Sequence, residues 1–396
     1  MENHIKALAQ SIKNEIIEIR HHIHSHPELS FEEENTAQLV EKFLSDLGLE
    51  PKRIGKTGVW AMIKGNGKKQ TTVALRADLD ALPIQEKSNR EYASKNPGVM
   101  HACGHDVHTS SLLGAAKILT QIKEHLDGDV KLIFQPGEEK LPGGASILIK
   151  EGVLTNPKVD AIIGQHVMPF IHTGKVGFRK GLYMASTDEI YITIHGKGGH
   201  GAMPHLCIDP VAVSAQVIVA LQQVVSRKAQ PIVPTVLTFG KINSDGGATN
   251  IIPNAVSFEG TLRTLNEPWR AECKQLITKI AQLTAEAYGA TAEVRIEDGY
   301  PFLKNDEAIT DKLILSAQKY MGEQQVEELD IWMAAEDFAF YSQSVPACFY
   351  RLGTRNEAKG IVSPVHTNTF DIDEDAIETG CGLLAYLAYD FLNKSN

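Results

Sequence analysis

The chain has 396 residues, of which 43% are apolar and 22% charged, and 39 Lys and Arg against 49 Asp and Glu give a formal net charge of −10. These proportions describe an ordinary folded protein of two or three domains and exclude a disordered, collagen-like or coiled-coil chain. No apolar run approaches the roughly 20 residues of a membrane helix, and an acidic chain with no basic block is a poor nucleic-acid binder.

The first residues, MENHIKALAQ, lack the charged-apolar-small order of a secretion signal, so a cytoplasmic location is expected. Apolar Ile5, Leu8, Ile12, Ile16, Ile17 and Ile19 recur at helical spacing over the first twenty residues. A second helix is predicted over 36–47. Between them, Pro27 in HHIHSHPELS ends the helical run. Short apolar runs at 72–75, 130–134 and 159–163 read as strands, and 111–126 reads as a helix with Leu112, Ala116, Leu119 and Ile122 on one face. Strands alternating with helices predict an α/β layer with a largely parallel sheet.

The pattern changes near residue 184. Residues 189–195 alternate strictly, with Ile190, Ile192 and Ile194 on one face. Asp209 and Pro210 open a helix striped by Val213, Val217, Leu221 and Val224. Strands at 235–242 and 255–264 follow, joined by a Gly-, Asn- and Asp-rich loop. A helix then opens at Asn266-Glu267-Pro268 and stops at Gly289, and 292–296 alternates again. The order βαββαβ is the ferredoxin-like signature. Residues 184–297 are therefore expected to form a domain inserted into a larger one made of 1–183 and 298–396. The larger domain resumes with a helix near Ala308, strands near Leu329 and Cys348, and a last helix from Asp373.

Polar residues follow several predicted strands of the larger domain: Asp78, Gln135 with Glu138-Glu139, and Gln165-His166. Ligands of open α/β sheets bind outside such strand ends. The densest segment is His101-Ala-Cys103-Gly-His105-Asp106-Val-His108, which leads into a helix. Cys and His two residues apart can face one ion, and a helix N-terminus favours the thiolate. N and S donors suit Zn²⁺, with Ni²⁺ or Co²⁺ also possible and Mn²⁺ a weaker match. Three His, one Cys and one Asp within eight residues outweigh the plain alternative of a surface His cluster beside a buried Cys. Glu138 and Glu139 read either as a solvated pair or as a metal ligand beside a free general base. His166 and His366, taken alone, read as hydrogen-bonded structural histidines. In the inserted segment, Gly196-Lys-Gly-Gly-His200-Gly follows a strand but has neither a Walker nor a dinucleotide spacing. Arg263 reads as a surface Arg or as a bidentate clamp for a carboxylate.

Together, HIHSHPELSFEE, LRADLDALPIQE, MHACGHDVHT, FQPGEEKLPGGA, GQHV, GKGGHGAMPH, the TNIIPN and GTLRT pair, AAEDFAFY and VHTNTFDIDE span nearly the whole chain. In them the sequence resembles the aminoacylase/carboxypeptidase family of binuclear metal amidohydrolases. This is metallopeptidase family twenty, subfamily D, the branch of hippurate hydrolases, N-acyl-amino-acid amidohydrolases and auxin-conjugate hydrolases. The resemblance implies a zinc-peptidase-like α/β catalytic domain with a ferredoxin-like lid or dimerisation domain. It implies two divalent ions per chain, Zn²⁺ foremost and Mn²⁺, Ni²⁺ or Co²⁺ as alternatives. Cys103 would bridge the ions, and His105, Glu139, His166 and His366 would complete their shells. Glu138 would be the general base that deprotonates the bridging water and then protonates the leaving amine. Asp78 would orient a ligand, His200 would stabilise the oxyanion, and Asn250 and Arg263 would hold the substrate carboxylate. The implied reaction is hydrolysis of N-acyl-L-amino acids, such as N-acetyl or N-benzoyl derivatives, by a homo-oligomer, a dimer or a dimer of dimers. A metallo-dipeptidase or carboxypeptidase is the alternative, and a non-catalytic binding protein on the same fold is a third. Two motifs depart from the family pattern: His366 is followed by Thr-Asn rather than Ser-Pro, and the Glu pair by KLPGGA rather than a plain glycine run.

Overall fold

The apolar runs of the first and last parts of the chain meet in one eight-stranded sheet. The computed structural model describes residues 1–67 and 69–393. Its central strands, in sheet order Asp129–Gln135, Thr72–Asp78, Ala161–His172 and Ala347–Arg355, are parallel. They are buried along most of their length, as parallel strands covered on both faces must be. Direction reverses towards the edges. Gly58–Ile63 pairs antiparallel with Asp129–Gln135, Lys52–Ile54 pairs antiparallel with Gly58–Ile63, and Val176–Phe178 runs antiparallel to Ala347–Arg355. The parallel character expected from the strand–helix alternation thus holds for the centre of the sheet, whereas the flanks mix antiparallel pairs with the parallel pair of Val326–Glu328 and Val176–Phe178.

Helices Glu2–Ser25, His105–Gln121 and Asp375–Asn393 pack against one another. The first runs five residues beyond the expected twenty, so His21, His22 and His24 are helical, and the chain leaves the helix just before Pro27. The middle helix is buried nearly throughout. It begins at His105 rather than Ser111, because its first turn is polar and hides from an apolar-periodicity reading. Gly114 sets how closely it meets the last helix: a Cβ there would lie 2.3 Å from the Sγ of Cys381. Among the described residues no helix is long and apolar enough to cross a membrane.

The chain divides into two compact units. The larger holds Met1–Tyr183, Lys304–Ile331 and the chain from Asp337 onward, and the smaller holds Met184–Leu303 with Trp332–Glu336. The smaller unit has a four-stranded antiparallel sheet in the order Thr235–Ser244, Ala255–Thr264, Asp188–His195, Thr291–Asp298. Helices Pro210–Gln223 and Glu267–Ala287 supply the rest of the ferredoxin-like pattern. Asp209 caps the first helix through the Val211 N–H (2.9 Å), and Asn266 caps the second through the Trp269 N–H (2.9 Å). Ile190, Ile192 and Ile194 are at most 1% exposed and pack with Val213, Val217, Leu221, Phe258 and Leu262 in a core separate from that of the larger unit. At roughly 1.5–3 kcal/mol per buried aliphatic side chain, this core can hold its own sheet and helices together.

Candidate metal centre

Parallel strands deliver their carboxyl ends to one edge of a sheet, and the polar segments of the larger unit collect there. Asp78 ends one strand and Gln135, paired with it in register, ends the next. The Glu138-Glu139 loop follows Gln135. His166 lies on the third strand, paired with Arg351 of the fourth. Cys103 and Gly104 precede the helix that starts at His105. Gly104 adopts φ +83°, and a Cβ on it would lie 2.5 Å from Val167 Cγ2. A glycine therefore lets the Cys103–His105 turn sit against the strand that carries His166.

Among the described residues five groups of donor atoms result, each with all its atoms within 4.8 Å of one another, and three of them combine the expected ligands with one another or with Glu138: Cys103, His105 and His166; Cys103, Glu139 and His366; and His105, Glu138 and Glu139. The first two share the Cys103 sulfur. That sulfur lies 3.4 Å from His166 Nε2 and 3.3 Å from His366 Nε2, and His366 Nε2 is 3.2 Å from a Glu139 oxygen. His366 is a non-glycine residue at φ +61°, held there by its N–H donating to the Ala102 carbonyl at 2.7 Å. Side chains seldom adopt that region, and such strain persists where surrounding contacts over-determine it.

Hydrogen bonds fix which ring nitrogen is available. His105 Nδ1 faces the Asp80 carbonyl at 2.8 Å and an Asp80 carboxylate oxygen at 3.2 Å, so Nδ1 carries the proton. Its buried Nε2 has no hydrogen-bond partner. His166 Nδ1 likewise donates to the Val167 carbonyl at 2.7 Å, which turns its Nε2 lone pair towards Cys103. His108 is different. Its Nδ1–H meets Asp78 at 2.6 Å and its Nε2 accepts the Val167 N–H at 2.9 Å, so both nitrogens are used and it has no lone pair for an ion. His101 is buried with both nitrogens unpartnered and joins none of the donor groups. Asp106 is taken by Arg20 (2.7 Å) and His24 (2.9 Å). Of the dense polar segment, Cys103 and His105 remain as donors.

This donor set fits divalent cations. Burial opposes charge on His105, but Asp78 and the Asp80 bond outweigh it and hold its pKa well above the ordinary value. The ring is thereby more basic, and a cation binding at its Nε2 would displace a proton. Burial, with His108 and Arg351 nearby, pushes His166 well below the ordinary value, so it is neutral and able to ligate. The Cys103 thiol departs from the expectation of a lowered pKa: burial first, then Glu139, push it well up. His105 favours the thiolate but does not offset burial and the glutamates, and a bound cation would favour it further.

Asp78, expected to orient a ligand, lies behind the donors. It bonds His108 and Arg76 (2.5 Å), and burial is outweighed by His105, His108 and Arg76, so its pKa is held well below the ordinary value. The residue that touches a donor and both glutamates is Asp80, which sequence reasoning missed. Its carboxylate accepts the main-chain N–H groups of Glu138 (3.0 Å) and Glu139 (3.0 Å) and the Ser30 hydroxyl (2.6 Å). The repeated Asp in Ala77-Asp78-Leu79-Asp80, two aspartates two residues apart at a strand end, is the signal that points to it.

In the smaller unit, His200 and Asn250 are neighbours: His200 pairs with Ile251, and the Asn250 carbonyl accepts the Gly201 N–H at 2.8 Å. His200 is exposed, and its Nδ1 accepts the Ala202 N–H at 3.1 Å, leaving Nε2–H as an outward donor. Arg263 lies on the strand Ala255–Thr264, half-buried, and burial lowers its pKa.

Comparisons with known proteins agree with this chemistry. A family described as Peptidase family M20/M25/M40 matches residues 74–390. The N-acyl-L-amino acid amidohydrolase of Geobacillus stearothermophilus is 46% identical over 305 residues, covering 76% of this chain and 81% of the relative. Thermostable carboxypeptidase 2 of Saccharolobus solfataricus is 41% identical over 396 residues, covering 98% of each chain. The crystal structure of the Bacillus subtilis YXEP protein, a dinuclear metal-binding peptidase, matches with a TM-score of 0.82 at 33% identity, over 98% of this chain and 100% of that one.

Proposed function

This chain belongs to peptidase family M20/M25/M40 and is a metal-dependent hydrolase of amide bonds, and from that premise we propose how its residues divide the work. The substrates are small N-acyl-L-amino acids, cleaved to a carboxylate and a free amino acid. The observation that carries the assignment is buried Glu138, which shares a donor group with His105 and Glu139 beside two donor groups joined at Cys103.

Cys103, His105, Glu139, His166 and His366 are the residues that would hold two ions, with Cys103 common to both. Nitrogen and thiolate donors favour Zn²⁺, with Mn²⁺, Ni²⁺ or Co²⁺ as alternatives. Bound there, the ions supply Lewis acidity, which acidifies water and polarises the scissile carbonyl. Glu138 takes the proton of the attacking water and returns it to the leaving nitrogen, because an amine is expelled far more readily than an amide anion. His200 presents its Nε2–H to the oxygen on which negative charge develops. Arg263 and Asn250 bind the free carboxylate of the substrate, which a guanidinium holds bidentately. A cytoplasmic homodimer completes this reading.

The test is turnover of N-acetyl- and N-benzoyl-amino acids beside dipeptides, by metal-loaded, chelated and Glu138→Gln protein. N-acyl-amino acids are expected to be cleaved, the activity to vanish on chelation, and reloading to restore it. Glu138→Gln should keep its ions and lose about 10²–10⁴ in kcat. Cleavage of dipeptides alone would favour the peptidase reading, to which the likeness to a carboxypeptidase gives some weight.

A further inference from the structure

The AAEDFAFY segment has no role in the reaction as derived so far. Its Asp337 is completely buried, and its main-chain N–H donates to a Glu138 carboxylate oxygen at 3.3 Å. The side chain of the same residue is bound from three directions. Arg76 Nη2 donates to Oδ1 at 2.7 Å, Gln135 Nε2 reaches Oδ1 at 2.9 Å and Oδ2 at 2.7 Å, and the Ala145 N–H reaches Oδ2 at 3.0 Å. Arg76 also donates through Nε to Gln135 at 2.9 Å and through Nη1 to Asp78 at 2.5 Å. These partners come from strands Thr72–Asp78 and Asp129–Gln135 and from helix Gly144–Lys150, which follows the glutamate loop. The next residue, Phe338, stacks on Phe349 with ring centroids 4.8 Å apart.

A buried Arg–Asp pair with this many bonds is expensive to desolvate, and such pairs are weak contributors to stability. Its value here lies in where it puts a peptide N–H. Clamping the Asp337 carboxylate to two strands and a helix leaves its own amide little freedom, and that amide meets the carboxylate of Glu138. The geometry points to Asp337, held by Arg76 and Gln135, as a positioning residue for the general base: its main-chain N–H sets the orientation in which Glu138 meets the attacking water. The inference rests on the reading of Glu138 given above. Asp337 acts through that glutamate, whose carboxylate also lies within 4.8 Å of its own.

In Asp337→Asn one carboxylate oxygen becomes an NH₂ that faces an N–H donor, Arg76 or Ala145, and the clamp slackens without a loss of volume. Since about 1 Å of misplacement can cost on the order of 10²-fold, kcat on an N-acyl-amino acid should fall about 10- to 100-fold. KM and the bound-metal content should stay within about twofold, because a displaced base alters neither. The deciding measurement is the double variant. If Asp337 acts through Glu138, Asp337→Asn in the Glu138→Gln background should cost less than about threefold, since effects of residues that act as a unit do not add. An equal loss in both backgrounds, or a loss of metal or a rise of KM in place of the fall in kcat, overturns the inference. Should Asp337→Asn fold poorly, Arg76→Lys, which keeps the charge and loses the fork, is read in the same cycle. Full activity in Glu138→Gln alone would instead refute Glu138 as the base. A lost Glu138→Gln activity beside an unimpaired Asp337→Asn would refute only its positioning.

Discussion

At the scale of single residues, the centre is organised by carboxylates that do not themselves donate to an ion. Asp80 is the clearest case. It sets the His105 tautomer and accepts the N–H groups of both glutamates. Burial opposes its charge, yet the bonds to His105 and Ser30 and the Glu139 N–H keep its pKa below the ordinary value. In Asp80→Ala the His105 ring keeps the main-chain carbonyl but loses the carboxylate, and the buried Glu138 N–H and the partly buried Glu139 N–H lose their acceptor. Metal affinity should fall about 10- to 100-fold, the cost typical of such outer partners, with helix content unchanged. Competition against a chromophoric chelator measures it, and an unchanged affinity would remove Asp80 from the design of the site. The segment that holds Cys103 and His105 and the Glu138-Glu139 pair were legible as donor candidates from composition and spacing, although which histidines and which glutamate would ligate came only from the family resemblance. His166 and His366 were not legible, because a lone His in a strand or loop carries no signal until folding brings it to a sulfur 63 or 263 residues away. Asp337 was hidden for a related reason: its importance lies in its own main-chain N–H, which no side-chain pattern encodes, whereas Asp80 had a signal in the Asp-Leu-Asp spacing but nothing that set it apart from Asp78.

At the scale of elements, the strand ends and one helix start position everything. The alternating strands of the inserted segment and its two capped helices could be read directly, since period-two burial and an Asx cap with Pro in the first turn are local features. The sheet of the larger unit could be read only in part. Short edge strands such as Lys52–Ile54 and Val176–Phe178 have too few residues to show a pattern. The strand Ala161–His172 continues through Gln165, His166 and Pro169, which break an apolar run that ends near 163. The start of helix His105–Gln121 is the element most exposed to a single substitution. In Gly104→Ala the methyl group would meet Val167 at 2.5 Å and the backbone would keep an unfavourable φ of +83°. Bound metal should drop below two ions per chain while the protein remains folded, because the strain falls between Cys103 and His105. Gly114→Ala, which drives a methyl to 2.3 Å from Cys381 Sγ further along the same helix, should lower thermal stability and leave the stoichiometry intact. Elemental analysis of the two purified variants, beside their melting curves, separates the cases. Equal metal content in both would mean that the turn is not under the tension described.

At the scale of the whole molecule, the five donors lie on four stretches of the larger unit, at 103–105, 139, 166 and 366, whereas the smaller unit has a core of its own. An ion that binds the native arrangement ties those stretches together only when the larger unit is folded. It stabilises that unit by mass action, by about 2.7 kcal/mol for one site at a free-metal concentration 100 times its Kd. The smaller unit contributes none of these five residues and should gain nothing directly. Calorimetry of the metal-loaded protein should therefore resolve two transitions. Chelation should lower one of them by several degrees and leave the other in place. The difference should shrink as the pH falls below about 6, where protons compete with the ions for the imidazoles and the thiolate. The shifted transition can be assigned with the Trp269 probe, since its indole N–H is bonded to Thr235 within the smaller unit at 2.9 Å. With Trp60 and Trp332 replaced by Phe, fluorescence should report only the metal-insensitive step. A fluorescence transition that moves with the chelator by the full calorimetric shift would mean that the two units melt as one, and that the ions stabilise the entire chain.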